Sequence, residues 1–158
     1  MSDLTLPHLS ASGDARMVDV SDKAVTARSA TAGGTVLLSP ECVAALRDGT
    51  VPKGDALAVA RIAGIQGVKK TPDLIPLCHP LPITGVDIEA VVVDDGVDIT
   101  VTVRTTGRTG VEMEALTGVS VAGLAVIDMV KAIDRAAELT DIHVRAKSGG
   151  RRGNWTRE

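Results

Sequence analysis

The longest apolar stretch of the chain runs from Leu116 to Ile127 without a charged side chain. It lies inside VEMEALTGVSVAGLAVIDMVKAIDRA (111–136), which is too long for one strand and contains no proline. Glu112 and Glu114 fall in its first turn, where the helix dipole favours anions. The pattern predicts a helix over 111–136, with Thr109 placed to cap it. The uncharged run is shorter than the ~18–20 residues that cross a bilayer, so a membrane span is not expected. Gly118, Ser120, Ala122, Gly123 and Ala125 are costly choices for a helix interior, each Gly by about 1 kcal/mol against Ala. Small residues admit another backbone closely, so this helix is expected to pack tightly on both sides, a copy of itself being one partner to consider.

Elsewhere the pattern changes period. Residues 24–38 alternate loosely and predict a strand interrupted at Gly33-Gly34. Ser39-Pro40-Glu41 opens a short helix that closes near Asp48-Gly49, and Asp55 caps a second helix over about 55–70, apolar nearly all round. Leu74–Pro82 carries three prolines in an apolar setting and reads as a rigid, buried connection. Residues 83–94 and 97–106 alternate as two strands joined at Asp94-Asp95-Gly96, a hairpin. A last strand covers 140–146. The order β-α-β-β-α-β predicts an α+β ferredoxin-like plait, an antiparallel sheet with helices on one face. Residues 1–15 are polar and turn-rich and are expected to be disordered, with His8 there solvated and without a role. A single domain then covers 16–158, ending in a flexible basic loop from about 147.

Composition narrows the class. At 158 residues and a net charge of −3 the chain shows no global basic field for nucleic acid. With one Trp and no Phe or Tyr, it lacks the aromatic faces on which RNA modules stack bases. Cys42 and Cys78 form no disulfide framework and no metal spacing, which fits reduced thiols in a cytoplasm. No basic-then-apolar leader is visible at the N-terminus. With His8, His79 and His143 the only histidines, ligand spacing for a metal is missing.

Four features carry chemistry. Asp128 closes the apolar run with Lys131 three residues on, on neighbouring edges of one helix face. The bland reading is a buried or semi-buried ion pair that fixes packing; the sharper one is an acid/base pair tuned by apolar surroundings. Cys78-His79 stands in the proline-rich segment, and His79 is expected to be held rigidly at a pocket rather than satisfied in a core. Lys53 sits before a helix start, where an anion would find free N–H groups. Lys147, with Gly149, Gly150, Arg151 and Arg152, forms a basic loop that composition fits equally to wrapping an anion or to a disordered solubilising tail, and Arg108 is a further cation suited to phosphate. Glu114 lies fourteen residues before Asp128, about 21 Å along a straight helix. If both serve one small ligand, they come from different subunits.

The segments MVDVSDK (17–23), KGDALAVARIAGIQ (53–66), LIPLCHPL (74–81), TGRTGVEMEALTGVSVAGLAVIDMVKA (106–132) and AKSGG (146–150) closely resemble the cyclic pyranopterin monophosphate synthases, the MoaC family of molybdenum cofactor biosynthesis. The resemblance spans about Met17 to Asn154, with His143 and Arg151-Arg152 as local variation. It implies a lyase converting 3′,8-cyclo-7,8-dihydroguanosine 5′-triphosphate, supplied by a radical GTP cyclase, into cyclic pyranopterin monophosphate and pyrophosphate. It implies a hexamer, a trimer of dimers, with sites at subunit interfaces. Asp128 and Lys131 are then the catalytic pair. Leu77, Cys78, His79, Met113 and Glu114 bind substrate, Lys53 and Lys147 face the phosphates, and Arg28 and Lys69 are further candidates. No cofactor is evident and no nucleic acid or membrane partner is expected; a divalent cation escorting the triphosphate stays open. The competing readings are a plait-fold nucleotide- or RNA-binding module without catalysis, and a scaffold in which Asp128–Lys131 only packs.

Overall fold

The computed structural model describes residues 7–158; the first six residues of the expected disordered segment lie outside the described residues. In chain order the elements are β1 (Thr26–Leu37), α1 (Pro40–Asp48), α2 (Ala56–Leu74), β2 (Ile83–Val93), β3 (Gly96–Gly107), α3 (Glu112–Val130), β4 (Glu138–Ser148) and β5 (Trp155–Thr156). They build one five-stranded antiparallel sheet in the order β2-β3-β1-β4-β5. With α1 and β5 set aside, that is the ferredoxin-like plait expected from the pattern.

The sheet shows why alternation dictates the fold. In the interior strand β3, Val97, Ile99, Val101 and Val103 are fully buried, whereas Asp98, Thr100, Thr102 and Arg104 point away. A period of two puts alternate side chains on opposite faces. α3 packs on β1, β3 and β4, and α2 on β2. On the other face polar side chains meet across strands: Thr31 and Thr102 hydroxyls at 2.8 Å, and the Thr35 hydroxyl donating to Asp98 at 2.8 Å. β1 is not interrupted at its glycine pair. It pairs with β3 in unbroken register from Thr26↔Gly107 to Leu37↔Gly96, and the irregularity falls only on the β4 side. Gly34 is needed there because a Cβ would come 2.8 Å from Val119 of α3.

Both shorter helices start as their sequences dictate. Ser39 Oγ accepts from the Cys42 amide at 3.3 Å with Pro40 in the first helical position, and Gly49 closes α1 in the left-handed region. Asp55 accepts from the Ala58 amide at 2.9 Å. α2 then runs past its expected end, through Pro72 to Leu74. It also leaves Val59 and Ile62 exposed, so it is not buried all round.

α3 departs from expectation at both ends. Val111, not Thr109, stands at its cap and makes no side-chain hydrogen bond, and the helix stops at Val130. Beyond it, the buried Asp134 accepts the Ser39 amide at 2.7 Å and the Ala136 amide at 2.9 Å. Those backbone donors hold its carboxyl below the usual range and tie α3 to α1. By length and composition α3 would suffice to cross a bilayer, contrary to the short-run argument. Here it is the core helix, with Ala115, Val119, Ala122, Val126 and Val130 fully buried.

The small residues of α3 also find their partners inside the chain. Gly118 and Ala122 receive Gly64 of α2, whose Cβ would lie 3.1 Å from the Gly118 carbonyl and 3.2 Å from Ala122. Gly123 lies against Leu139 of β4.

Candidate active site

Three groups of functional side chains emerge. The first surrounds a cavity of about 280 Å³. The Leu74–Pro82 connection is not buried as expected: Leu74 is 57% and Leu77 36% exposed. Prolines lack an N–H, and within the segment the Cys78 N–H is met by the Ile75 carbonyl; exposure leaves the other backbone groups to solvent, where burial would have demanded partners. It lays Leu77, Cys78 and His79 beside Met113 and Glu114 at the start of α3, and all five line the cavity. His79 Nε2 lies 2.7 Å from the Val18 carbonyl. A carbonyl only accepts, so Nε2 carries the proton and a neutral ring keeps Nδ1 as an acceptor. Glu114 is 3% exposed, and burial pushes its carboxyl above the ordinary range, with Glu112 adding to the rise. Burial and then the Glu114 charge push the Cys78 thiol up as well. A thiol held protonated is a contact surface, not a nucleophile.

The second group lines a larger, cation-rich cavity of about 950 Å³ that includes Lys23, Arg28, Lys147, Arg151 and Arg152. Lys147, next to last in β4, pairs with Glu112 at 2.8 Å. Arg28 Nε donates to the Gly107 carbonyl at 3.0 Å, which leaves the rest of its guanidinium toward the cavity wall. The loop at 149–153 can wrap this space because Gly149 and Gly150 hold positive φ; a side chain on Gly150 would collide with the Arg28 guanidinium. Trp155 and Thr156 then pair back onto β4. Arg108, expected among the phosphate cations, instead binds the carbonyls of Ser21 and Lys23 and fastens the 17–25 segment.

The third group stands apart. Lys131 Nζ donates to Asp128 Oδ1 at 2.7 Å, and Lys53 Nζ reaches Asp128 Oδ2 at 3.2 Å and its carbonyl at 2.8 Å. The i,i+3 pair is therefore real, but it is neither buried nor semi-apolar: the Asp128 and Lys131 side chains are 58% and 59% exposed. Lys131, then Lys53, hold the Asp128 carboxyl below the ordinary range, the opposite of tuning toward neutrality. Sequence reasoning thus placed the desolvated carboxylate at the wrong end of α3. The buried one is Glu114, because the proline-rich segment closes over that end.

The remaining candidates are scattered. Lys69 borders a separate hollow with Pro72, Pro80 and Leu81, which shares Leu81 and Glu114 with the first cavity. Lys53 joins Asp128 rather than Lys147. His143 bonds its own turn through the Asp141 carbonyl at 2.8 Å and lines neither of the two cavities. Both cysteines are free. Among the described residues no group of three or more His, Cys, Asp or Glu side chains gathers to hold a metal.

Fold and site together define an α+β plait with a small chamber of mixed polar and apolar lining opening beside a cationic one, and a separate carboxylate flanked by two ammonium groups. The description of the MoaC family matches residues 17–150, and the chain belongs to the MoaC family. It is 64% identical over 152 residues to the cyclic pyranopterin monophosphate synthase of Streptomyces coelicolor, covering 96% of this chain and 89% of that protein. It is 59% identical over 160 residues to the protein of the same name from Dinoroseobacter shibae, covering both in full. Cyclic pyranopterin monophosphate synthase 2 of Mycobacterium tuberculosis is 55% identical over 152 residues, covering 96% and 91%.

Proposed function

We propose that this chain works in molybdenum cofactor biosynthesis, converting 3′,8-cyclo-7,8-dihydroguanosine 5′-triphosphate into cyclic pyranopterin monophosphate with release of pyrophosphate. The observation that carries the reading is identity of 55–64% over nearly the whole chain to proteins named for that product. The chemistry of the three groups suits it. A polar purine-derived ring fits a small chamber with Glu114 as acceptor and His79 Nδ1 beside it, and a polyphosphate fits the cationic chamber. Rebuilding the ring moves protons at nitrogen and carbon, which calls for general acid–base groups. Asp128, held ionised, steadies the Lys131 and Lys53 ammonium groups, which are the donors in this arrangement and also stabilise charge on departing phosphate oxygens.

On this reading the enzyme is a cytoplasmic lyase fed by a radical GTP cyclase, and any divalent cation arrives with the triphosphate. Because Asp128 and Glu114 stand at opposite ends of α3, about 21 Å apart on a straight helix, a complete site takes the Asp128 group from one protomer and the two chambers from another. Ile62 and Leu124, apolar and about 60% exposed on α2 and α3, suit burial in the oligomer, for which we take the hexamer, a trimer of dimers. The RNA-binding alternative is weaker: Arg151 and Arg152 line a concave chamber rather than an open face.

The test is turnover of the cyclised nucleotide by Asp128→Ala and Lys131→Ala. Each is expected to lose on the order of 10²–10⁴-fold, the usual range for a proton-transfer group. Because the pair is solvent-exposed, thermal stability and oligomeric state should stay near wild type. Wild-type turnover in both variants removes the assignment.

A further inference from the structure

Residues 7–16 fold back on themselves. Leu9 and Ala15 form an antiparallel bridge, the Arg16 amide donates to the His8 carbonyl at 2.8 Å, and Arg16 Nε donates to the Pro7 carbonyl at 3.2 Å. At the tip, the Ser12 hydroxyl donates to Asp14 at 2.6 Å and the Ser10 hydroxyl accepts the Asp14 amide at 3.1 Å. This closure fixes the backbone that carries His8, whose side chain is exposed as expected, so the residue is not part of a disordered segment.

His8 lines both the 950 Å³ and the 280 Å³ cavities, so it stands where they meet. Four other residues share that position: Lys23, Thr109, Gly110 and Glu112. Glu112 repels an anion and is paired with Lys147. The side-chain donors left at the joint are those of His8, Lys23 and Thr109, contributed by three separate segments. An imidazole in either charge state presents at least one N–H.

We propose that His8 is a substrate-binding residue that donates a hydrogen bond to the phosphate nearest the sugar. The proposal rests on the function stated above. A ligand with its ring in the small chamber and its terminal phosphates in the cationic one must thread the joint with its sugar and first phosphate. That phosphorus is where the bond to pyrophosphate breaks and the cyclic phosphate closes. Fixing it in line with the attacking oxygen is a positioning task that a hydrogen bond from a braced turn performs. His8 takes no proton in this role, and the terminal phosphates are left to Arg28, Lys147 and Arg152.

The experiment uses the full-length enzyme and its His8→Ala and His8→Gln variants. Two quantities are read: KM for the cyclised guanosine triphosphate, and affinity for inorganic pyrophosphate, followed by fluorescence of Trp155, the only aromatic side chain. His8→Ala is expected to raise KM about 10–100-fold, as for loss of one hydrogen bond to a charged group. Pyrophosphate affinity should stay within about twofold, and His8→Gln, which keeps a donor, should recover part of the loss. An unchanged KM with wild-type turnover overturns the role of His8 and leaves the proposed function standing. A pyrophosphate affinity that falls as far as KM rises places His8 among the terminal phosphates and overturns its assignment to the joint. Absence of turnover by the wild-type enzyme overturns the proposed function and this inference with it.

Discussion

At the scale of single residues, the two carboxylates of α3 are opposites, and the difference is environmental. Asp128 lies between two ammonium groups in solvent; Glu114 is buried beside a thiol and a second carboxylate. The sign of the Glu114 effect on stability follows from its raised folded pKa. The fold favours the protonated form, so the associated stability is fully present below the unfolded value, about 4.3, and is lost as pH rises through the folded pKa. Gln has the same shape and no charge to desolvate. Glu114→Gln is therefore expected to be more stable than wild type at pH 8 and equal to it near pH 3, as read from denaturant midpoints, while its KM for substrate worsens. Equal midpoints at pH 8 would mean that the carboxylate is solvated. A group that costs stability and lines a chamber is the mark of a residue retained for binding. The Asp128–Lys131 pair was legible because i,i+3 spacing is local. The burial of Glu114 was not, because it depends on a segment more than thirty residues earlier folding over the start of the helix, and the placement of His8 has the same long-range character.

Elements were read best where a local signal decides them. The Ser39-Pro40 and Asp55 starts, the Gly49 stop, and the alternation of Val97, Ile99, Val101 and Val103 all follow from capping and period. The start of α3 was misplaced because Val111 caps without a side-chain bond, leaving Thr109 and Gly110 to line the two cavities. The small residues of α3 were read as sites of close approach, and the structure names neighbours within the chain: Gly64 of α2 for Gly118 and Ala122, and Leu139 for Gly123. They let α2 sink onto α3, and this depth sets the position of the proline-rich segment that follows α2. Gly64→Ala gains helix propensity, about 1 kcal/mol, but brings a methyl to 2.5 Å from Ile88 Cδ1 and 3.1 Å from the Gly118 carbonyl. Overpacking of this kind costs about 1–3 kcal/mol. A lowered melting temperature is expected, with KM rising as Leu77–His79 shift; a variant as stable as wild type would show that the two helices can separate without consequence.

Across the whole molecule, the sequence carried the plait, because each element's own pattern agrees with the topology that follows from their order. Spacing alone put Glu114 and Asp128 at opposite ends of one helix, but it could not show which cations gather at each end, Lys53 at Asp128 and Arg28 with Lys147 in the larger chamber. On the proposed function the chambers would supply recognition and cations, and the exposed Asp128 group, at the far end of α3, the proton donors. The decisive measurement is subunit complementation. Asp128→Asn and Lys147→Ala, each inactive alone, are mixed under conditions that exchange protomers, and turnover of the cyclised nucleotide is assayed. If each site draws on two chains, half of the random pairs are mixed and each restores one of its two sites, so the rate should return to about a quarter of wild type. Activity no higher than that of the unmixed variants would contradict a site shared between protomers.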